Sequence, residues 1–512
     1  MQHECAAGIA GVSRSVGINH LMRDSEAGLR TQAYSAAWWT LAQGAADEVL
    51  RLVFFVVLAR LLSPDVYGLM ALAMVYFAIV EVIAEQGFTR TLVQRAELKP
   101  EHLDTAFWCQ AALSLLAFAL GVLAAHPIAR LLGQPQLAPV LQALAVITPL
   151  LVLNTVQRAL LERELRVHIL AVTKLVSTLA GGAVGVTLAL RGLGIWSLVA
   201  QQLAAALLSA VVVWAVSAWR PGLRVRRAAL RDLLGFSGSL LALSCLHLLK
   251  NQADKFIIGV FLGPASLGFY AVSRRLVDVL VNVFVRPISQ LTLPVFARLQ
   301  HSQNRARAAY GLAVRGSTAF AIPVFSGLFA LAPEIVDVIL GPNWGDVSAL
   351  IRILSLLGLC QVFLFVDAAL ILSLGGSFQR LKLNSGYVLL SFVLFLISAP
   401  YGLEAFCASA VVAALVFLPV ELRHVYRLIG FGAREHLQAI WPGAFSSLAM
   451  AAAILALKHS LLTGSPAWQI VSASVLAGAA VYGLCLFSIS ADLRRLAGEL
   501  LANRPSWSVT KR

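Results

Sequence analysis

Long apolar runs recur along almost the whole 512-residue chain, and no other feature constrains its fold as much. They fall at about 39–60, 66–86, 104–125, 137–158, 170–190, 194–218, 237–259, 267–292, 311–333, 347–374, 383–399, 402–424, 438–457 and 466–490, fourteen in all. A helix needs about 20 apolar residues to cross the hydrocarbon of a bilayer. Barrel strands would be shorter and would alternate, and these runs do neither. The chain is 59% hydrophobic and 13% charged, whereas soluble domains carry about 25% charged residues. The runs predict an all-α polytopic membrane protein with about 14 transmembrane helices.

The connecting segments set an orientation. One side receives Glu162, Arg163 and Arg166, the stretch WRPGLRVRRAALRD at 219–232, ARLQHSQNRAR at 297–307, QRLK at 379–382 and a tail with Arg494 and Arg495. The other side receives mainly Arg60, Arg130, Arg191 and Lys458. Excess Lys and Arg mark cytoplasmic loops, so both termini are expected in the cytoplasm. The net charge of +15 is thereby explained without a nucleic-acid partner. Residues 1–38 form an expected cytoplasmic tail without the apolar core of a signal peptide. Met22 is a plausible start, and Trp38 and Trp39 suit the interface before the first span. The six cysteines make no paired motif and read as small apolar-run residues.

The chain also repeats. LLSPDVYGLMALA at 61–73 is echoed by FLGPASLGFYAVS at 261–273, with Leu62, Pro64 and Gly68 matching Leu262, Pro264 and Gly268. IARLLGQPQLAPVLQAL at 128–144 is echoed by VDVILGPNWGDVSALIRIL at 336–354. Six spans separate the copies, an even number, so the repeats run parallel and imply two six-helix lobes about an axis along the membrane normal. The expected division is a lobe at 39–218, a cytoplasmic linker at 219–236, a second lobe at 237–424, two further helices within 425–490 and a cytoplasmic tail at 491–512.

Charges inside the spans point to function. In 237–294, Lys250, Asp254 and Lys255 lie on one apolar run, and Arg274, Arg275, Asp278 and Arg286 on the next. His247, Asn251 and Asp254 share one helical face; Arg275, Asp278, Asn282, Arg286 and Ser289 make a stripe on the other helix. A charge at the membrane centre costs roughly 2.5–3.5 kcal/mol on insertion scales, so a simple anchor would not carry these. Lys255 and Arg286 lie close enough to helix ends to snorkel, whereas Lys250 and Asp278 are nearer the middle. A polar cavity and an internal salt-bridge network both fit that pattern. The first span adds Asp47, Glu48 and Arg51, and the second adds Glu81 and Glu85. Candidate substrate-binding cations are Arg51, Lys250, Arg274, Arg275 and Arg315; Arg forms bidentate contacts with phosphate oxygens. Candidate charge-pairing or cation-coupling groups are Asp47, Glu48, Glu81, Asp254, Asp278 and Asp367. No G-x-x-x-x-G-K-[ST] or H-E-x-x-H motif appears. The acids Glu334, Asp337 and Asp346 read as a solvated turn. The chain reads as a transporter, not an enzyme, with no cofactor and no metal site.

The motifs VLARLLSPDVYGLMALA, EQGFTRTLVQR, HLDTAFW (102–108), ALLERELR (159–166), GLGIWSLVAQQL (192–203) and NQADKFIIGVFLGPASLGFYAVSRRL (251–276) occur in that order. In order and spacing they resemble the polysaccharide-transporter branch of the multidrug/oligosaccharidyl-lipid/polysaccharide flippase superfamily, over about residues 32–490. The resemblance implies movement of an undecaprenyl-diphosphate-linked oligosaccharide between leaflets for O-antigen, capsule or exopolysaccharide assembly. It would place Lys250, Asp254, Arg275 and Asp278 near the cavity of the second lobe, faced by Asp47, Arg51 and Glu81 from the first. A coupling proton or sodium ion, a polysaccharide polymerase and glycosyltransferases are the implied partners. Lipid II flippases, cation-coupled drug exporters and a non-transporting scaffold of a glycan assembly complex are the alternatives. Relatives begin nearer Met22, so residues 1–21 depart from the pattern.

Overall fold

The structure, a computed structural model, describes residues 44–85 except 45, residue 92, 99–226 except 165, 248–299, 302–460 and 464–490. The tail with Met22, Trp38 and Trp39, the residue His247, most of the 219–236 linker and the tail at 491–512 lie outside the described residues, as does the side chain of Glu81.

The regular elements of the described residues are all helical. Helix α1 covers 46–61. It is followed by α2 (Pro64–Glu85), α3 (Pro100–Leu131), α4 (Leu137–Ala145), α5 (Ile147–Val152), α6 (Thr155–Arg163), α7 (Val167–Leu190) and α8 (Ile195–Val216). The second half opens with α9 (248–261) and α10 (Gly263–Leu280). A π-helical turn (Val281–Val285), α11 (Arg286–Leu299), α12 (Gln303–Ala330), α13 (Ala332–Ile339), α14 (Val347–Ser373), α15 (Ser377–Ser398) and α16 (Leu403–Ile429) complete it. Last come α17 (Ala433–Ser460) and α18 (Ala467–Ile489).

Among the described residues, eleven helices are long and apolar enough to cross a membrane, and Pro64–Val80 is a shorter apolar one. The runs expected at 39–60 and 237–259 are described only as 46–61 and 248–261. Several helices extend past their apolar runs. The expected 311–333 begins at Gln303, and the expected 438–457 begins at Ala433. The short run at 383–399 sits in a 22-residue helix starting at Ser377. Amphipathic turns continue a helix beyond the hydrocarbon without cost, so hydropathy finds the span but not the helix end.

Prolines account for two irregularities. Pro149 cannot donate to Ala145, and the span over 137–163 divides at Val146 between α4 and α5. Ahead of Pro287 the turn widens to a π-helix, which relieves the ring's clash with the preceding turn.

The repeated motifs pack against each other. Helices α2 and α10 form the most extensive described contact between the two halves. A Cβ on Gly68 would lie 1.7 Å from the Pro264 carbonyl oxygen, and a Cβ on Gly268 would lie 1.9 Å from that of Pro64. Each glycine thus admits the backbone of the other copy, as small residues do where membrane helices cross closely. The repeat read from the sequence is therefore a physical two-fold contact.

Two more ties lie at this Pro64 end. Arg60 donates from Nε to the Ile339 carbonyl at 2.9 Å and from its terminal nitrogen to that of Val338. It caps the last carbonyls of α13, where a cation is favoured. The buried Trp344 donates its indole N–H to the Ala59 carbonyl at 2.8 Å and meets Tyr67 and Phe269 edge to face. Helix α17 packs on α12, and α18 packs on α17 and α13. The solvated turn expected around Glu334 is a correction: Glu334 is on α13, buried, and paired with Lys458 of α17. An apolar helix face drew that acid in, and a lysine from a distant span neutralises it.

Candidate functional site

The charged residues divide between places that sequence spacing could not separate. The first is on the N-terminal half. Asp47 of α1 is buried and accepts from Arg51 Nε at 2.9 Å, Lys174 Nζ at 3.0 Å and the Thr178 hydroxyl at 2.8 Å. Lys174 and Thr178 sit one turn apart on α7, so one face of that helix completes the pocket for the carboxylate. The neighbouring Glu48 reaches across to Arg275 of α10, at 3.0 Å between the charged atoms. That pair lies at ion-pair distance without hydrogen-bond alignment, since Glu48 Oε1 has no hydrogen-bond partner.

The second place is within the C-terminal half. A cavity of ≈ 280 Å³ is lined by side chains of α9, α10, α14, α15 and α16. Arg274 pairs with Asp278 at 3.1 Å one turn along α10. The Tyr270 hydroxyl donates to Asp254 Oδ2 at 2.5 Å, and Asp254 Oδ1 accepts from the Lys255 N–H at 2.8 Å. Lys250 Nζ donates to Asn384 Oδ1 at 2.9 Å, and Arg380 pairs with the buried Glu421. Arg286 lines the same space.

Arg274 and Arg275 therefore serve different sites. Successive residues on a helix point about 100° apart, and here one turns into its own half while the other crosses to the opposite half. The expectation that Arg275 shares its setting with Asp278 is corrected: Asp278 holds Arg274, and Arg275 meets Glu48, not Asp47 or Asp254. Arg315 lies in a third place. It lines an apolar groove of ≈ 1010 Å³ bounded by α10, α12, α13, α17 and α18, together with Phe320, Met450 and Tyr482. Asp367 lies in a fourth, fully buried on α14; it accepts from the Tyr310 hydroxyl at 2.7 Å, and its Oδ2 has no hydrogen-bond partner.

Several residues escaped the sequence reading. Lys174 looks like an interfacial lysine until α7 is set against α1. Glu421 and Arg380 are 41 positions apart and meet only when α15 packs on α16. The cross-half donors Arg60 and Trp344 stand beside the two echoed motifs, which is the one signal that could have found them. Among the described residues no cluster of three His, Cys, Asp or Glu could hold a metal.

Two parallel-repeat halves, charges between and within them, and a pair of extra helices flanking an apolar groove define a multi-pass helical membrane protein. The chain belongs to the polysaccharide biosynthesis protein family, whose profile matches residues 57–349. It is 28% identical over 319 residues to the succinoglycan biosynthesis transport protein ExoT of Rhizobium meliloti (strain 1021). That match covers 62% of this chain and 64% of the relative, a little under two thirds of its length. It is 23% identical over 442 residues to the lipopolysaccharide biosynthesis protein WzxC of Escherichia coli (strain K12), covering 82% of this chain and 86% of that one. Among solved structures, the fold matches the lipid II flippase MurJ in an inward closed conformation, with a TM-score of 0.72 at 14% identity over 91% of this chain and 100% of that one. It also matches an inward-facing MATE family multidrug transporter, with a TM-score of 0.57 at 16% identity, covering 76% of this chain and 96% of that one.

Proposed function

We propose that this protein flips a lipid-linked oligosaccharide across the bacterial inner membrane by alternating access. The expected cargo is the undecaprenyl-diphosphate-linked unit of an O-antigen, capsule or exopolysaccharide. The observation that carries this is the Glu48–Arg275 pair, a misaligned ion pair bridging two repeat-related halves. A diphosphate can replace Glu48 on Arg275, because guanidinium binds phosphate oxygens in a bidentate fork. Arg51, three residues along α1 from Glu48, adds positive charge near it. Lys250 and Arg274 receive the sugar-bearing side in the C-terminal lobe. The apolar groove along α17 and α18 suits the polyprenyl tail, with Arg315 on its wall. Family membership and relatives named for succinoglycan transport and lipopolysaccharide biosynthesis support this reading.

The lobes of this scheme are 39–218 and 237–424. The charge bias of the loops puts the Pro64 end in the periplasm and both termini in the cytoplasm. With its periplasmic end tied by Arg60, Trp344 and the two glycines, the protein is in the state that loads from the cytoplasm. Asp47, Glu48, Asp254 and Asp278 act as charge partners, with Glu81 as a further candidate. Asp367, with a buried oxygen lacking a hydrogen-bond partner, is the candidate for a coupling proton or sodium ion. Polymerase and glycosyltransferases are the expected neighbours in assembly.

The test is flipping in proteoliposomes loaded with lipid-linked oligosaccharide and normalised to folded protein. Arg275→Ala should lower the rate about tenfold or more at unchanged abundance, matching the loss of a charge-assisted contact of about 1.5–3 kcal/mol. Arg275→Lys should fall between the two. Full flipping by a folded Arg275→Ala protein would remove Arg275 from the site.

A further inference from the structure

The motif HLDTAFW at 102–108 takes no part in the charged sites, yet its side chains are among the most tightly committed on the N-terminal half. Beyond Val216, where α8 ends, residues 217–226 run without helix across the first turns of α3. Asp104, buried, accepts the Gly222 N–H at 2.9 Å, while the Trp108 indole donates to the Gly222 carbonyl at 2.8 Å. The Thr105 hydroxyl, also buried, accepts the Arg226 N–H at 3.1 Å and donates to the Arg224 carbonyl at 3.3 Å. Glu101 pairs with Arg226 at 3.1 Å. Upstream, Arg220 donates to the carbonyls of Ser217, Trp219 and Trp214 and lies over the Trp214 ring. Phe107 meets Trp214 and Trp219 edge to face.

The recognition is of backbone. Positions 222, 224 and 226 are engaged alternately, as on an extended chain that shows every second residue to one side. A Cβ at 222 would lie 2.5 Å from Asp104 Oδ2, so any side chain there must displace the carboxylate that holds the strap. These residues open the covalent connection between the halves, a connection that two moving lobes must share.

We propose that Asp104, Thr105 and Trp108 are positioning residues of the transport cycle, clamping residues 217–226 to the N-terminal lobe in every state. This rests on the alternating-access reading. The N-terminal lobe as a moving body then ends at Arg226, not at the end of α8. Asp104 and Thr105 act on transport through the strap they hold and touch no substrate.

The test separates the clamp from the flippase reading. Spin labels at Arg224→Cys and His168→Cys, both exposed and both on the N-terminal half, go into a background whose native cysteines are replaced. The distance distribution is measured with and without lipid-linked oligosaccharide, and with the Arg60–Val338 contact replaced by a thiol cross-link. One narrow, unchanging distance is expected in all conditions. A shift on adding substrate, or between tied and untied protein, would overturn the clamp whether or not the protein flips lipid. Gly222→Ala should broaden the distance and lower flipping about tenfold at normal abundance, the scale of one displaced buried hydrogen bond. Asp104→Asn keeps an acceptor oxygen and should hold the strap with flipping within about threefold of wild type. An unchanged distance in Gly222→Ala, or a released strap with undiminished flipping, would also overturn it.

Discussion

The two halves share a frame and differ in what they enclose. At the frame, Pro64 and Gly68 meet Pro264 and Gly268 in nearly symmetric backbone contacts of similar tightness. Inside, the N-terminal half gathers three donors around the buried carboxylate of Asp47. The C-terminal half spreads Lys250, Arg274, Asp278, Arg380 and Glu421 around ≈ 280 Å³ of open space. Duplication has kept the positions where backbones touch, because any side chain there clashes. It has let the interior diverge, because a charge needs only some partner, from whichever helix supplies it. One half satisfies its buried acid at a wall and the other spreads its charges around a lined chamber.

Breaking the shared frame should have the largest effect. Gly68→Leu or Gly268→Leu drives a side chain into the opposite backbone, a form of overpacking that costs about 3 kcal/mol or more. Membrane abundance and thermal stability should both fall, and equally for the two positions, since the contacts are symmetric. A large difference between them would mean that the halves do not share one pivot. Next comes the wall. Asp47→Ala strands Arg51 and Lys174, but both are about half exposed, 49% and 48%. The expected loss of stability is therefore about 1–2 kcal/mol, below that of a fully buried pair. The chamber should be the most tolerant structurally. Asp278 is 40% exposed, so Asp278→Asn should change thermal stability by less than about 1 kcal/mol. Its flipping rate should still fall, because Arg274 is left to a new balance of charge. Equal destabilisation by Asp47→Ala and Asp278→Asn would erase the distinction between wall and chamber.

Apolar length made the architecture legible, since a helix in lipid leaves few alternatives. The repeat was legible from glycines and prolines because those residues are demanded by backbone contact. The charged set was legible as residues but not as sites. Helical spacing places Arg274 and Arg275 on different faces, yet nothing in it says which face meets Glu48. Arg380 and Glu421 lie on separate helices, and Glu334 looked like a solvated turn because its partner Lys458 is far along the chain. Ion pairs between helices depend on packing, and packing is the part that local sequence does not encode.

Alternating access requires the halves to part at the Pro64 end to pass a lipid-linked oligosaccharide. It is tested by placing cysteines at Arg60 and Val338, which touch across that end, in a protein lacking its other cysteines. A short reducible bifunctional thiol reagent ties the two, and flipping is followed in proteoliposomes before tying, after tying and after reduction. Flipping by the untied protein, its loss in the tied protein and its return on reduction are expected. Flipping by the tied protein at the untied rate would contradict alternating access through this end.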